Sequence, residues 1–265
     1  MIIRKSRKDL QRMADSGAIV ARSLGVLRDA VRPGITTGDL DRIAEDYVVS
    51  QGGVPTFKGY HGFTGSICAS PNDMIVHGIP GPGVVLGDGD IISLDIGVTY
   101  RGWVADSALT VPVGDTGVDA LRLLEVCQAS LHDSIPQCVS GNHLSDIGHA
   151  VQSRAEAAGF AVVRTLVGHG VGRRMHEDPQ IPNYGPPGRG PELRDGMVFA
   201  IEPMITAGTH EIELDEDDGW SITTADGSLA AHFEHTVAVT ADGPLVLTRD
   251  GGWSPVDEPV GVATG

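Results

Sequence analysis

From Ser6 to Val31 the apolar residues Leu10, Met13, Ile19, Val20, Leu24 and Leu27 recur at helical spacing, and Arg32-Pro33-Gly34 supplies a stop. The spacing predicts a long first helix. Thr36-Thr37-Gly38-Asp39 then leads into Leu40, Ile43, Ala44, Tyr47 and Val48, a second amphipathic helix ended by Gly52-Gly53. Between Asp90 and Val113, β-branched and polar residues alternate about a turn near Tyr100-Arg101-Gly102. That pattern predicts a β-hairpin with Asp95 on one arm and Asp106 on the other. The order then recurs: residues 117–139 carry a long helical pattern with Leu121, Leu124, Val126 and Leu131, Ser140-Gly141 breaks it, and residues 143–158 carry a shorter one. Strands return after Gly159.

Sliding the sequence on itself by 107 positions aligns Gly34 with Gly141, Asp39 with Asp146, Leu40 with Ile147, and Gly52 with Gly159. The same offset pairs Asp95 with Glu202. A shared order of long helix, short helix and carboxylate-bearing hairpin predicts an internal duplication within one unit spanning 1–265. Its pseudo-symmetric halves cover about 6–113 and 117–248, in an α+β fold whose central antiparallel sheet is covered by helices. The second hairpin is longer, since Asp95 to Asp106 spans 11 positions and Glu202 to Glu234 spans 32. The acidic insert His210 to Asp218 is expected to fill part of that difference, and Gly251 to Gly265 reads as a flexible tail.

Charge narrows the function. With 35 acidic against 19 basic residues the net charge is −16, which argues against a general nucleic-acid-binding surface. The three cysteines Cys68, Cys127 and Cys138 form no CxxC pair and fit a reduced, cytosolic setting. The N-terminal MIIRKSRKDLQRM runs into a polar helical pattern rather than a signal peptide, and no run of apolar residues is long enough to span a membrane. A cytoplasmic protein is expected.

Four acids interrupt runs that otherwise read as strand: Asp95 after Ile91-Ile92-Ser93-Leu94, Asp106 after Trp103-Val104-Ala105, Glu202 after Met197-Val198-Phe199-Ala200-Ile201, and Glu234 in His232-Phe233-Glu234-His235. A buried carboxylate must be protonated, paired with a base or bound to a cation. Arg101 and Arg194 lie outside these runs, so bases are too few. Two divalent cations balance four carboxylates, and a pair of ions can activate one water as nucleophile near neutral pH. Oxygen-rich ligation with one imidazole suits Co, Mn, Fe or Zn, with Mg also admissible, and leaves the choice open. The competing reading puts one or more of these acids on the solvent face of the sheet. The segment Gly168 to Glu177 places His169 and His176 among glycines that let the backbone approach a ligand closely, one imidazole for ligation and the other for substrate. His77 lies in a loop fixed by Gly78 and Pro80, whereas His132, His143 and His149 on predicted helices read as structural.

Taken together, NDMIVHGIP, the hairpin with Asp95 and Asp106, GHGVGRRMHEDPQIPNY, FAIEPM and HFEHT resemble the type I methionine aminopeptidases of the pita-bread metallopeptidase family, over almost the whole chain. The resemblance implies a pita-bread fold in which Asp106 and Glu234 bridge two metals, Asp95 completes the shell of one, and His169 with Glu202 completes the other. It further implies hydrolysis of the first peptide bond of N-terminal methionyl peptides and nascent chains, favouring a small second residue, with Glu202 as proton shuttle and His77 and His176 as hydrogen-bond partners of the substrate. The methionine pocket falls to Tyr60, Phe63, Cys68, His77, His176 and Trp220, with Phe57 at its rim. Phe57 stands where many relatives carry a small residue or cysteine, Met175 where many carry phenylalanine, and Leu166 where an aromatic is common. A monomer is expected, with at most a transient ribosome contact. The rivals are a proline-specific aminopeptidase or prolidase of the same fold, which usually carries a large extra N-terminal domain, and a non-catalytic member of the fold acting as an interaction protein.

Overall fold

The computed structural model describes residues 1–250, so the tail expected over 251–265 lies outside the described residues. Helix α1 runs Arg7–Ala30 and is entered through a capping box, in which the Ser6 hydroxyl accepts the Asp9 N–H and the Asp9 carboxylate accepts the Ser6 N–H. Its buried face holds the six apolar residues of the predicted stripe. Helix α2 runs Thr37–Ser50, with the Thr36 hydroxyl accepting the Asp39 N–H at 3.0 Å. Both pack on the first hairpin, strands Ile91–Tyr100 and Trp103–Pro112, through a core of Val20, Leu24, Leu40, Val48, Ile92, Leu94 and Ile96. The hairpin pairs without interruption from Ile91↔Pro112 to Tyr100↔Trp103. Arg101 and Gly102, at φ 50° and 77°, form the two-residue turn whose backbone twist matches that of the strands.

The second half repeats the order. Helix α3 runs Val118–Ser134 and helix α4 Leu144–Ala157. The pattern predicted to reach residue 139 stops at Ser134 and tightens into a 3₁₀ turn over Ile135–Gln137, because Pro136 has no N–H to give and its ring crowds the preceding turn. Leu123, Cys127, Leu131, Ile147 and Val151 of these helices pack on Phe199, Ile201 and Val237 of the second hairpin. Each half thus has a core of its own.

The second hairpin departs from the first in a way that matters for chemistry. Val198–Ile201 pairs with His235–Thr240 up to Ile201↔His235, and Met204–Thr206 pairs with Ala230–His232 from Met204↔His232 onward. The register is the same on both sides, so Glu202 and Glu234 face each other across a gap in the ladder, where they were expected inside continuous strands. Pro203 explains the gap, since it offers no N–H, although its carbonyl accepts the Phe233 N–H at 3.3 Å. The longer connection forms the antiparallel pair Ile212–Leu214 and Ile222–Thr224, and the latter strand pairs with Met74–Val76, immediately before His77. The longer connection is therefore tied to the first half through Ile222–Thr224, with the acidic insert on the far side of that strand.

Hydroxyl groups join the two hairpins. The Asp106 N–H donates to Thr236 Oγ1 at 3.0 Å, and that hydroxyl donates to the Asp106 carbonyl at 2.8 Å. Thr110 does the same for His232, accepting its N–H at 2.9 Å and donating to its carbonyl at 2.8 Å. The Glu234 N–H reaches the Ala108 carbonyl at 2.9 Å. This seam brings acids from both hairpins to one place.

Candidate active site

Asp95 and Asp106 rise from adjacent strands of the first hairpin, and Glu202 and Glu234 from the gap in the second. Asp106 and Glu234 are each only 2% exposed. His169, on the short strand Gly168–Gly170, enters from a third direction through its pairing with Ala200. Ligand atoms of Asp106, His169 and Glu234 lie within 4.8 Å of one another. His169 Nε2 stands 3.8 Å from Asp106 Oδ2 and 3.5 Å from Glu202 Oε1. Its Nδ1 is 2.9 Å from the Gly170 carbonyl, which can only accept. The proton is therefore on Nδ1, and Nε2 turns a lone pair toward the carboxylates, the tautomer of a metal ligand.

The electrostatics point the same way. Burial raises Asp106 to about 7. Burial, followed by the neighbouring carboxylates, raises Asp95, Glu202 and Glu234 well above the usual range. Burial also lowers His169 to about 4, with His176 adding to the effect. Asp95 Oδ1, Asp106 Oδ1 and Glu234 Oε1 are buried without a hydrogen-bond partner among the described residues. Uncompensated acceptors beside an imidazole lone pair are the donor set a divalent cation requires, and the residues present fit such an ion.

A cavity of about 180 Å³ opens onto this cluster, and all twelve site residues singled out from sequence line it: Phe57, Tyr60, Phe63, Cys68, His77, Asp95, Asp106, His169, His176, Glu202, Trp220 and Glu234. Its apolar wall takes Phe57, Tyr60, Phe63, Cys68 and Val76 from the first half and Trp220 from the longer connection of the second hairpin. The Asp218 carboxylate accepts the Trp220 N–H at 2.7 Å, and the Trp220 ring meets Phe63 edge-on at 5.1 Å and His77 at 6.2 Å. His77 has a left-handed backbone, φ 62°, and burial lowers its pKa to about 4. Tyr60, flanked by Gly59 at φ 86° and His61 at φ 47°, brings its hydroxyl to 2.8 Å from His176 Nδ1 and so fixes that ring, whose centroid is 4.2 Å from that of His169. The Cys68 thiol is held protonated by burial and by the neighbouring carboxylates, and it serves as a small wall residue.

Two features differ from expectation. The glycines around His169 admit protein backbone and side chains, where close approach to a ligand was expected. A Cβ on Gly168 would lie 2.5 Å from the Ala200 carbonyl oxygen, one on Gly170 2.2 Å from that of Asp178, and one on Gly172 2.6 Å from Lys5 Cε. Second, sequence reasoning gave no role to Val76, Val167 and Met204, which also line the cavity, and it noted Leu166 and Met175 only as departures from the family pattern. It also passed over His232, buried beside Glu202. The adjacency of Val76 to His77, of Met204 to Glu202 and of His232 to Glu234 was the available signal.

A sequence profile described as Metallopeptidase family M24 matches residues 11–241. Methionine aminopeptidase 1 of Bacillus subtilis (strain 168) is 51% identical over 249 residues, covering 94% of this chain and 100% of the relative. The crystal structure of a methionine aminopeptidase from Thermotoga maritima superposes with a TM-score of 0.92 at 41% identity, over 94% of this chain and 100% of that one. A prolidase from Pyrococcus furiosus shares the fold alone, with a TM-score of 0.74, 17% identity, and coverage of 93% of this chain and 65% of its own.

Proposed function

The chain belongs to metallopeptidase family M24, and from that premise we propose that it removes the N-terminal methionine from peptides and nascent proteins, favouring a small second residue. The observation that carries this reading is one cavity in which a carboxylate–imidazole cluster meets a wall of aromatic and sulfur-bearing side chains. Such a wall suits an unbranched thioether, and the cluster suits metal-assisted hydrolysis. We read the chain as one catalytic unit in two pseudo-symmetric halves, about 6–113 and 117–248, acting as a cytoplasmic monomer with at most a transient ribosome contact.

In this reading Asp95, Asp106, His169, Glu202 and Glu234 would hold two divalent cations. When bound, the ions supply a nucleophilic water near neutral pH and polarise the scissile carbonyl. Glu202 accepts the proton lost as the water oxygen bonds to the first peptide carbonyl carbon, and it returns a proton to the leaving amine nitrogen as the C–N bond breaks. His176, aligned by Tyr60, and His77 donate hydrogen bonds to the substrate amide and to the oxyanion that develops. Phe57, Tyr60, Phe63, Cys68 and Trp220 hold the methionine side chain and keep it dry.

The prolidase alternative shares the fold at 17% identity against 51% for a methionine aminopeptidase, and the non-catalytic alternative leaves the convergence of four acids and an imidazole without a purpose. A panel of peptides varied at the first two residues tests the proposal, assayed with added Mn²⁺ or Co²⁺ and again after chelation. Release of methionine from Met-Ala and Met-Gly peptides, lost with chelator, is expected. Preferential cleavage of X-Pro bonds would replace this reading with the prolidase one.

A further inference from the structure

The Glu202 carboxylate faces an imidazole at each oxygen. Oε1 lies 3.5 Å from His169 Nε2 and Oε2 lies 4.0 Å from His232 Nε2. His169 presents a lone pair here, because its proton is committed to the Gly170 carbonyl, so it cannot donate to Oε1. The backbone of Glu202 is pinned by Asn183, whose Nδ2 donates to the Glu202 carbonyl at 2.9 Å, but that bond leaves the carboxylate plane free to turn. His232 is 2% exposed, and neither of its ring nitrogens has a hydrogen-bond partner among the described residues. Thr110 clamps its backbone on both sides, so the residue is held in place. An imidazole always carries at least one N–H, and a buried donor without an acceptor is costly. The acceptor within reach is Glu202 Oε2, and the terminal torsion of a glutamate is soft enough to close the gap.

We propose that His232 is a positioning residue for Glu202: it donates Nε2–H to Oε2, fixes the carboxylate plane, and leaves Oε1 directed toward His169 and the reacting atoms. This rests on Glu202 acting as metal ligand and proton carrier. Outer hydrogen bonds of this kind set ligand orientation, and their loss commonly costs about 10–100-fold in metal affinity or activity.

The test compares His232→Leu and His232→Gln with the parent protein, each stripped of metal and titrated with Co²⁺. The readouts are the visible absorption band, binding calorimetry, and kcat and KM on a Met-Ala-Ser peptide. His232→Leu is expected to lower kcat by about 10–100-fold at little-changed KM, to weaken Co²⁺ binding by about 10-fold and to shift the band. His232→Gln keeps an N–H donor and is expected to recover most of the loss. Parental kcat and Co²⁺ affinity in His232→Leu, or a His232→Gln protein no better than His232→Leu, would overturn the proposal. Nitrogen-15 NMR of the unsubstituted protein gives a check that does not depend on variants folding: the Nε2–H tautomer of His232 is expected, and the Nδ1–H tautomer contradicts the assignment. Glu202→Gln is measured alongside. If it binds Co²⁺ and turns over like the parent, the role of Glu202 fails; if it loses both while His232→Leu does not, the inference about His232 fails alone.

Discussion

Asp106 sits where three demands meet: it is buried, it faces His169, and its backbone is tied to Thr236 of the other hairpin. Its replacement by alanine is expected to abolish metal loading and hydrolysis together while leaving most of the fold intact, as read by metal analysis, circular dichroism and peptide assay. An Asp106→Ala protein that retained both metal and activity would remove Asp106 from the site. His176 predicts the opposite split. It meets the cluster through ring contact with His169 rather than as a member of it, so His176→Ala is expected to keep its metal and slow turnover by about 10²–10⁴-fold, as for loss of an acid–base or oxyanion group. At this scale the sequence was legible where polarity contradicted its surroundings, as for Asp95 and Asp106 in β-branched runs. It was opaque for His232, because the polar neighbours Glu234 and His235 hide any contradiction, and only the register of the second hairpin, with Met204 opposite His232, makes it a neighbour of Glu202.

Elements hold these residues through contacts made far along the chain. The segment between His169 and His176 is anchored by Glu177, whose carboxylate accepts Lys5 Nζ at 2.8 Å and the N–H groups of Arg173 and Arg174 at 2.9 and 3.3 Å. Both side chains of the Lys5–Glu177 pair are 2% exposed. Burial pushes the Glu177 carboxyl up, but Lys5 and the two N–H groups outweigh it and hold the group below its ordinary 4.5, so this contribution is lost only as pH falls below that value. Lys5→Met leaves the carboxylate buried without its cation and is expected to cost about 3–5 kcal/mol. Loosening the His176 segment should lower kcat as well. Urea unfolding with parallel kinetics checks both, and an unchanged midpoint would mean that the pair adds nothing. No local pattern announces this tie across 172 positions. Local chemistry did announce the first hairpin, through alternation and the Arg101-Gly102 turn. It also held the clues to what was misread, since Pro136 shortens α3 and Pro203 opens the ladder at Glu202.

For the whole molecule, the recurrence of helix, helix and acid-bearing hairpin explains why one pocket gathers so many like charges. Each half contributes a pair of acids, the seam of Thr110 and Thr236 forces the pairs together, and the resulting repulsion makes stability depend on what occupies the site. The repeat order was readable because helices and hairpins leave periodic marks; the seam was not, since it is built from side-chain hydroxyls. In the metal-free chain, Asp106 at about 7 and the other three carboxyls above their usual range bind more protons folded than unfolded. The stability they contribute is full below their unfolded values near 4, and it is lost as pH rises through the folded ones. His169, lowered to about 4 from 6.5, has the opposite sign: its contribution is full above 6.5 and is lost as pH falls toward 4. A divalent cation requires both kinds of group deprotonated, so binding releases protons and tightens with pH. The rise in melting temperature produced by Mn²⁺ or Co²⁺ over chelated protein is therefore expected to be small near pH 5 and to grow steadily to about pH 7.5. Differential scanning calorimetry across that range measures it. An increment independent of pH would mean that the cation stabilises the protein somewhere other than among these acids and His169.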